Sequence, residues 1–127
     1  MAQRILVVDD EAKIAEVLEK FLQRQGFDVT KVLEARQAIE LLKAGTAFDL
    51  IITDMKMPGL TGLDLLKAKK QMNNNTPALV LTGSIDAEKY VDSGSLAEVD
   101  CLLEDICYKP VDLFGLLDTI KHKLKIA

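Results

Sequence analysis

Residues 48–54, Phe-Asp-Leu-Ile-Ile-Thr-Asp, form an apolar run that ends in the carboxylate of Asp54 and leads into Met57-Pro58-Gly59. Three further apolar runs also end in polar residues. They are residues 4–8 before Asp9-Asp10-Glu11, residues 78–81 before Thr82-Gly83-Ser84, and residues 106–108 before Lys109-Pro110. The carboxyl ends of parallel strands meet at one edge of an α/β sheet, where such folds place their sites. The sequence therefore predicts one polar site built from four strand ends.

The bulk properties indicate an ordinary globular protein. The chain has 127 residues, of which 49% are hydrophobic and 28% charged, and its net charge is -4. This length favours one domain over residues 1–127. The acidic balance argues against direct nucleic-acid binding, which usually needs a basic face. We find no membrane span and no signal-peptide layout, so we expect a cytoplasmic protein.

Hydrophobic patterning predicts five strands, at residues 4–9, 27–32, 48–53, 78–82 and 105–108. Helices are predicted between them. The first helix ends at Gly26 and carries one apolar stripe, which comprises Ile14, Val17, Leu18, Phe21 and Leu22. The second helix covers residues 35–44, with Ala35, Ala38, Ile39 and Leu42 inward. Residues 85–103 are the hardest stretch to assign.

Two helices carry capping signals. Thr61 with Asp64 predicts a capping box at the start of the third helix, whose inner face would contain Leu63, Leu66 and Met72. Asp112 predicts the cap of the last helix, with inner residues Leu113, Leu116, Leu117, Ile120 and Leu124. The repeated βα pattern indicates an α/β fold: a doubly wound, five-stranded parallel sheet with helices on both faces.

The cysteines, Cys101 and Cys107, match no zinc or redox spacing, and the single histidine, His122, lies far from them in sequence. We interpret both cysteines as small apolar side chains in a reducing compartment.

These motifs together resemble the response-regulator receiver domains of two-component signalling, including chemotaxis regulators. The resemblance covers nearly all of residues 4–124 and includes Asp9-Asp10, Asp54, Gly62, Thr82-Gly83 and Lys109-Pro110. It implies a flavodoxin-like (βα)5 fold with strand order 2-1-3-4-5. Each motif alone is weak, whereas their joint occurrence in this order is specific.

The resemblance implies that Asp54 accepts a phosphoryl group with the help of Mg²⁺. Asp10 and Asp54 would bind the metal directly, and Asp9 would act through water. The backbone carbonyl of Lys56 would complete the set, while the Lys56 side chain would tune access of water to the phosphoryl group.

The same resemblance assigns roles to the other strand ends. Lys109 would place its ammonium on a phosphoryl oxygen, and the Lys109-Pro110 bond would be cis. Thr82 would donate its hydroxyl to the phosphoryl group, and Gly83 would offer space and a backbone N–H. Added charge at Asp54 could then shift a two-state surface.

The chain also departs from the family pattern. Ile106 stands where receivers usually carry the aromatic residue that moves with the threonine. Tyr108 is expected to point to the opposite face of the strand, which makes it a poor substitute. Leu102-Leu103 and Ser93-Gly94-Ser95 make residues 85–105 unusual, and we expect a differently shaped output surface there.

Plain structural roles remain open for each residue: Asp9 and Asp10 could cap the first helix, Asp54 could form an Asx turn, Thr82 could cap the fourth helix, and Lys109 could be solvated. As a whole, the chain could be a pseudo-receiver that binds partners without phosphorylation. A phosphohydrolase of the haloacid-dehalogenase type is disfavoured, because Lys56 stands where that family needs a second Asp.

The receiver interpretation implies a set of partners. A histidine kinase or histidine phosphotransfer protein would supply the phosphoryl group within a two-component system or phosphorelay. A downstream protein or effector domain would read the state, and a phosphorylation-dependent dimer is possible. Such a phosphoprotein would not be an enzyme on outside substrates, although it would catalyse its own phosphorylation and autodephosphorylation. The sequence leaves open whether it is a stand-alone receiver or part of a longer protein.

Overall fold

The computed structural model describes residues 2–83, 105–109 and 112–126. Within these ranges, the strands are β1 (Arg4–Val8), β2 (Asp28–Val32), β3 (Leu50–Asp54), β4 (Ala78–Gly83) and β5 (Ile106–Lys109). The helices are α1 (Ala12–Arg24), α2 (Ala35–Lys43), α3 (Gly62–Gln71) and α4 (Leu113–Leu124). The predictions for residues 85–104 and for Pro110 lie outside the described residues.

All strands pair in parallel, in the order β2-β1-β3-β4-β5, which confirms the predicted topology. β1 and β3 are central and almost entirely buried. A strand covered on both faces reads as a continuous apolar run, which explains why these segments were recognisable in the sequence.

Two apolar cores lie on opposite faces of the sheet. On one face, Ile5 and Val7 pack with Leu18 of α1 and Leu117 of α4. On the other face, side chains of β1 and β3 pack with α2 and α3; the group includes Leu6, Val8, Ala38, Ile51 and Leu65. Successive strand residues alternate between the two cores, as the pleat requires. The helices therefore cover both faces and leave the carboxyl edge of the sheet for polar residues.

Helix faces follow the predicted stripes with two corrections. Val17 was expected inward, but it is 52% exposed, while Ala15 is buried beside Leu18 and Leu22. The buried residues of α1 lie towards one side of the predicted stripe, so Val17 falls outside the buried face. In α3, the inner residues are Leu65 and Leu66. The predicted Leu63 is half-buried and packs against the cluster of Met55, Leu66 and Val80, whereas the buried Leu65 was not predicted.

The predicted helix caps are present. Thr61 and Asp64 form a reciprocal capping box at the start of α3, and the Asp112 side chain accepts a hydrogen bond from the Phe114 N–H. Gly26 and Gly45 follow α1 and α2 with positive φ angles of 94° and 84°. Left-handed backbone of this kind is the usual helix stop and favours glycine.

Strand ends differ from the prediction by one residue at two important positions. Asp54 is the last residue of β3 and Lys109 is the last residue of β5, whereas both were expected just beyond their strands. Their backbones are therefore held by the sheet ladder, which fixes where the two side chains begin.

Candidate functional site

Asp54 lies at the carboxyl edge of the sheet in a buried position, with only 4% of its surface exposed. The backbone on both sides of it is anchored. The Thr53 hydroxyl donates to the Asp54 carbonyl at 3.0 Å, and the Met55 N–H donates to the Leu81 carbonyl at 2.8 Å. Asp54 is therefore held on rigid strand structure, as a reacting group must be.

Gly62 brings the start of α3 against the backbone of Asp54. Its N–H donates to the Met55 carbonyl at 2.9 Å. A Cβ atom at this position would lie 2.4 Å from the Asp54 carbonyl oxygen and 3.0 Å from the Met55 Cα. These distances leave no room for any other side chain, so the close approach itself requires glycine.

Asp9 is fully buried directly after β1. One of its oxygens, Oδ1, accepts a hydrogen bond from the Glu11 N–H at 2.9 Å. The other, Oδ2, lies 3.3 Å from the Lys109 Nζ. Asp9 is thus fixed by the start of α1 and directed at the lysine. It does not act as the N-cap of that helix, a position that Glu11 occupies.

Lys109 reaches three carboxylates from the end of β5. Its Nζ lies 3.3 Å from Asp54 Oδ2, 3.3 Å from Asp9 Oδ2 and 3.6 Å from Glu11 Oε1. Its side chain is only 18% exposed. The alternative of a solvated surface lysine is therefore wrong, since the ammonium is partly buried between acidic partners.

The electrostatics of this group are dominated by burial. Burial and the neighbouring Asp9 charge raise the pKa of Asp54 from 3.8 to about 6, and Lys109 only partly opposes them. Burial also raises the pKa of Asp9, against the Glu11 N–H and Lys109. Burial alone would lower the pKa of Lys109, but the Asp54 and Asp9 carboxylates outweigh it and raise that pKa. Excess negative charge in a desolvated site favours a bound cation.

The donor set fits a hard divalent ion. Among the described residues, Asp9, Glu11 and Asp54 each offer a carboxylate oxygen, and these oxygens lie within 4.8 Å of one another. Carboxylates are the ligands that Mg²⁺ prefers. The Lys109 ammonium between them shows that the three can surround one positive charge. This acidic pocket is where the resemblance noted from the sequence implies a Mg²⁺ site.

Glu11 was not assigned to the site from the sequence. It follows Asp9-Asp10 in the chain, and that acidic triplet was the only available signal. Asp10 itself is exposed, and its charge contributes to the raised pKa of Asp54. The assignment of Asp10 as a direct metal ligand stays a prediction.

Thr82 and Gly83 end β4 beside this group. Thr82 is buried, and its hydroxyl donates a long hydrogen bond of 3.4 Å to the Gly83 carbonyl. Among the described residues, a Cβ atom on Gly83 would meet nothing within 4 Å, and the predicted role of Gly83 stays a prediction. The Thr82 hydroxyl is only weakly engaged and is available to another acceptor.

The expected orientation of Tyr108 is wrong. Residues 106 and 108 are two apart and share a face of β5, and Tyr108 pairs in register with Thr82. Ile106 pairs with Val80 on that same face and packs against the small core of Met55 and Leu66. Tyr108 is 54% exposed, and its backbone lies beside that of Thr82 in the neighbouring strand.

The remaining predicted residues follow the loop after β3. Met55 and Met57 are buried and pack in the cores. The Lys56 residue between them is exposed, and its predicted roles stay predictions. Cys107 is half-buried against the core, and burial raises the pKa of its thiol, which agrees with an apolar role. Cys101 lies outside the described residues.

Comparisons with known proteins all point to the same family. A family model for the response regulator receiver domain matches residues 5–121. Response regulator protein PilR of Pseudomonas aeruginosa is 36% identical over 127 residues, which cover 98% of this chain and 26% of that protein. Sporulation initiation phosphotransferase F of Bacillus subtilis is 25% identical over 126 residues, covering 99% and 97%. The chain thus spans about a quarter of PilR.

Solved structures agree in fold over almost the whole chain. A CheY-like receiver domain protein from Methanospirillum hungatei has a TM-score of 0.84 at 28% identity, covering 98% of this chain and 95% of that one. Chemotaxis response regulator CheY4 of Vibrio cholerae has a TM-score of 0.80 at 31% identity, covering 97% and 99%. In the described ranges, no helix combines the length and apolar character that a bilayer span requires.

Proposed function

The chain belongs to the response regulator receiver family, and from this premise we propose that Asp54 accepts a phosphoryl group from a phosphohistidine. The observation that carries the proposal is the Asp54 carboxylate, buried at the strand end and 3.3 Å from the Lys109 ammonium. A carboxylate of this kind can act as a nucleophile when its charge and that of the incoming group are balanced.

The transfer balances simply. A carboxylate oxygen of Asp54 attacks phosphorus and forms the P–O bond of an acyl phosphate, while the P–N bond to the donor imidazole breaks. The imidazole nitrogen keeps the electron pair and takes a proton from solvent. Bound Mg²⁺ would neutralise phosphoryl charge. We propose that Asp9, Asp10, Asp54 and the Lys56 carbonyl hold it.

Lys109 is placed to contact the negative charge that the phosphoryl group would add at Asp54. Its ammonium already lies between Asp9 and Asp54, so a short movement would bring it to a phosphoryl oxygen. Its role is that of a point charge in a partly desolvated site. The Thr82 hydroxyl and the space at Gly83 lie at the end of the neighbouring strand, where they would receive the remaining oxygens.

The biological setting follows from the family. We propose that residues 1–127 form a single receiver domain located in the cytoplasm. This domain would switch the binding of a downstream protein or effector domain, and it would not act as an enzyme on outside substrates. The phosphoryl donor would be a histidine kinase or a histidine phosphotransfer protein. The relatives named above include a response regulator and a phosphotransferase, which supports this choice. Direct nucleic-acid binding is not proposed for this acidic chain.

Intact mass spectrometry tests the proposal. The protein is incubated with acetyl phosphate and Mg²⁺, and we expect one phosphoryl adduct that EDTA prevents. Asp54→Asn should give no adduct, whereas Asp118→Asn, the same change at an exposed position on α4, should react like the wild type. An adduct on Asp54→Asn would refute the site. Absence of any adduct, together with failure to bind beryllofluoride, would favour the pseudo-receiver.

A further inference from the structure

Glu11 brings a third carboxylate to the site from a different element. Its Oε1 lies 3.6 Å from the Lys109 Nζ, and its oxygen belongs to the same close group as those of Asp9 and Asp54. Asp9 comes from the end of β1 and Asp54 from the end of β3, whereas Glu11 comes from the start of α1. Two segments, the connection from β1 to α1 and the end of β3, therefore converge on one positive charge.

The helix does not use this carboxylate. Glu11 is the N-cap residue of α1, yet its side chain makes no capping hydrogen bond. N-cap side chains usually accept from the first turn of the helix, and Glu is poorly suited to do so. Instead, the Glu11 N–H is held by Asp9 Oδ1 at 2.9 Å, which fixes its backbone beside the buried aspartate. The carboxylate is 61% exposed and lies at the open side of the group.

We propose that Glu11 contributes a carboxylate oxygen to the divalent-cation site and tightens cation binding in this chain. The inference rests on the proposed function only for the identity of the ion. Affinity of hard cations rises with the number of charged oxygen ligands. The Lys109 ammonium already occupies the space between these oxygens, so the same three carboxylates can converge on a cation of similar position.

Cation binding is measured directly with Mn²⁺, an oxygen-preferring ion whose free form is quantified by electron paramagnetic resonance. Mg²⁺ competition then gives the affinity for Mg²⁺. Glu11→Gln should weaken both affinities roughly tenfold, which corresponds to about 1.4 kcal/mol. Glu11→Asp keeps the charge but withdraws the oxygen by one methylene, and it should weaken binding at least about threefold.

Glu34→Gln is the matched control. Glu34 is the N-cap residue of α2, is exposed, and also makes no side-chain capping hydrogen bond. The Glu34→Gln variant removes the same charge from an equivalent helix start, so its Mn²⁺ affinity should match that of the wild type. Wild-type affinity in Glu11→Gln would overturn the inference. The inference would also be overturned if Glu11→Asp binds Mn²⁺ with wild-type affinity and the affinity lost in Glu11→Gln is restored at high salt. Glu11 would then act only as a distant charge.

The same proteins separate this inference from the function. If Mn²⁺ binding depends on Glu11 but no phosphoryl adduct forms, the inference stands and the phospho-acceptor proposal fails. If Asp54 is phosphorylated normally and Glu11→Gln binds Mn²⁺ as the wild type does, only the inference fails. If the wild type binds no Mn²⁺, both the inference and the cation requirement are overturned.

Discussion

At the scale of single residues, the site is shaped by charge that is costly to bury. Asp54 and Asp9 are both nearly inaccessible, yet they share one ammonium between them. Two buried carboxylates cannot both be fully compensated by one cation. The unmodified site is therefore an electrostatic compromise, and its state should depend on pH and on added cations.

Asp54→Asn should stabilise the metal-free protein at neutral pH. The pKa of Asp54 rises from 3.8 to about 6 on folding, so the folded state binds more protons between these values and stability falls as pH rises through that window. Ionised Asp54 then costs on the order of 3 kcal/mol above pH 6, since one pKa unit is about 1.4 kcal/mol. The asparagine variant avoids this cost.

Urea unfolding in EDTA checks the sign. The variant should have a higher midpoint than the wild type at pH 7.5 and a much smaller advantage at pH 4.5. An equal advantage at both values would assign the effect to packing, and a destabilised variant at pH 7.5 would contradict the prediction.

At the scale of elements, the start of α3 positions the end of β3. Gly62→Ala would place a Cβ 2.4 Å from the Asp54 carbonyl oxygen, so the helix or the strand end must shift. We expect a loss of about 1 to 3 kcal/mol in the free energy of unfolding, as for other overpacked sites. Gly83→Ala, whose Cβ would meet nothing within 4 Å among the described residues, is the control and should change stability little. Equal effects of the two variants on urea midpoints would argue against the close approach.

The pairing of β4 with β5 leads to a second prediction at this scale. Thr82 and Tyr108 are register partners on one face, so movement of the Thr82 hydroxyl towards a modified Asp54 should change the surroundings of the Tyr108 ring. Fluorotyrosine labelling in a Tyr90→Phe background leaves one resonance, because the chain has two tyrosines. Mg²⁺ with beryllofluoride should shift it. A shift that persists in Thr82→Ala would separate the ring from the threonine.

What the sequence could predict at the element scale depended on patterns that are local in the chain. Buried parallel strands have continuous apolar sequences, so the sheet and the polar residues at its strand ends were predictable. Val17 was misplaced because a helical stripe fixes a face only to within one residue at its edges. Glu11 was missed because its role depends on how α1 starts relative to Lys109, almost a hundred residues away. Gly62 was recognised as a motif residue, but the reason for it is a distance that no pattern contains.

At the scale of the whole molecule, the site ties distant parts of the chain together. Asp9, Asp54 and Lys109 come from three strands, and the unfolded chain cannot hold them near one another. A cation held between the Asp9 and Asp54 carboxylates binds only the folded state, so it must stabilise the fold as a whole. The expected gain in the free energy of unfolding is about 2.7 kcal/mol at a free Mg²⁺ concentration 100 times the dissociation constant.

Thermal unfolding at increasing Mg²⁺ measures this linkage, with NaCl at matched ionic strength as the control for screening. The melting temperature should rise with Mg²⁺ and return to its starting value with EDTA. The Asp54→Asn variant lacks both the buried charge and one metal ligand. Its melting temperature in EDTA at neutral pH should therefore be higher than that of the wild type, and Mg²⁺ should raise it less. Equal gains from Mg²⁺ and NaCl would mean that the ion acts only by screening the net charge of -4. Equal gains in the two proteins would mean that Asp54 does not hold the ion.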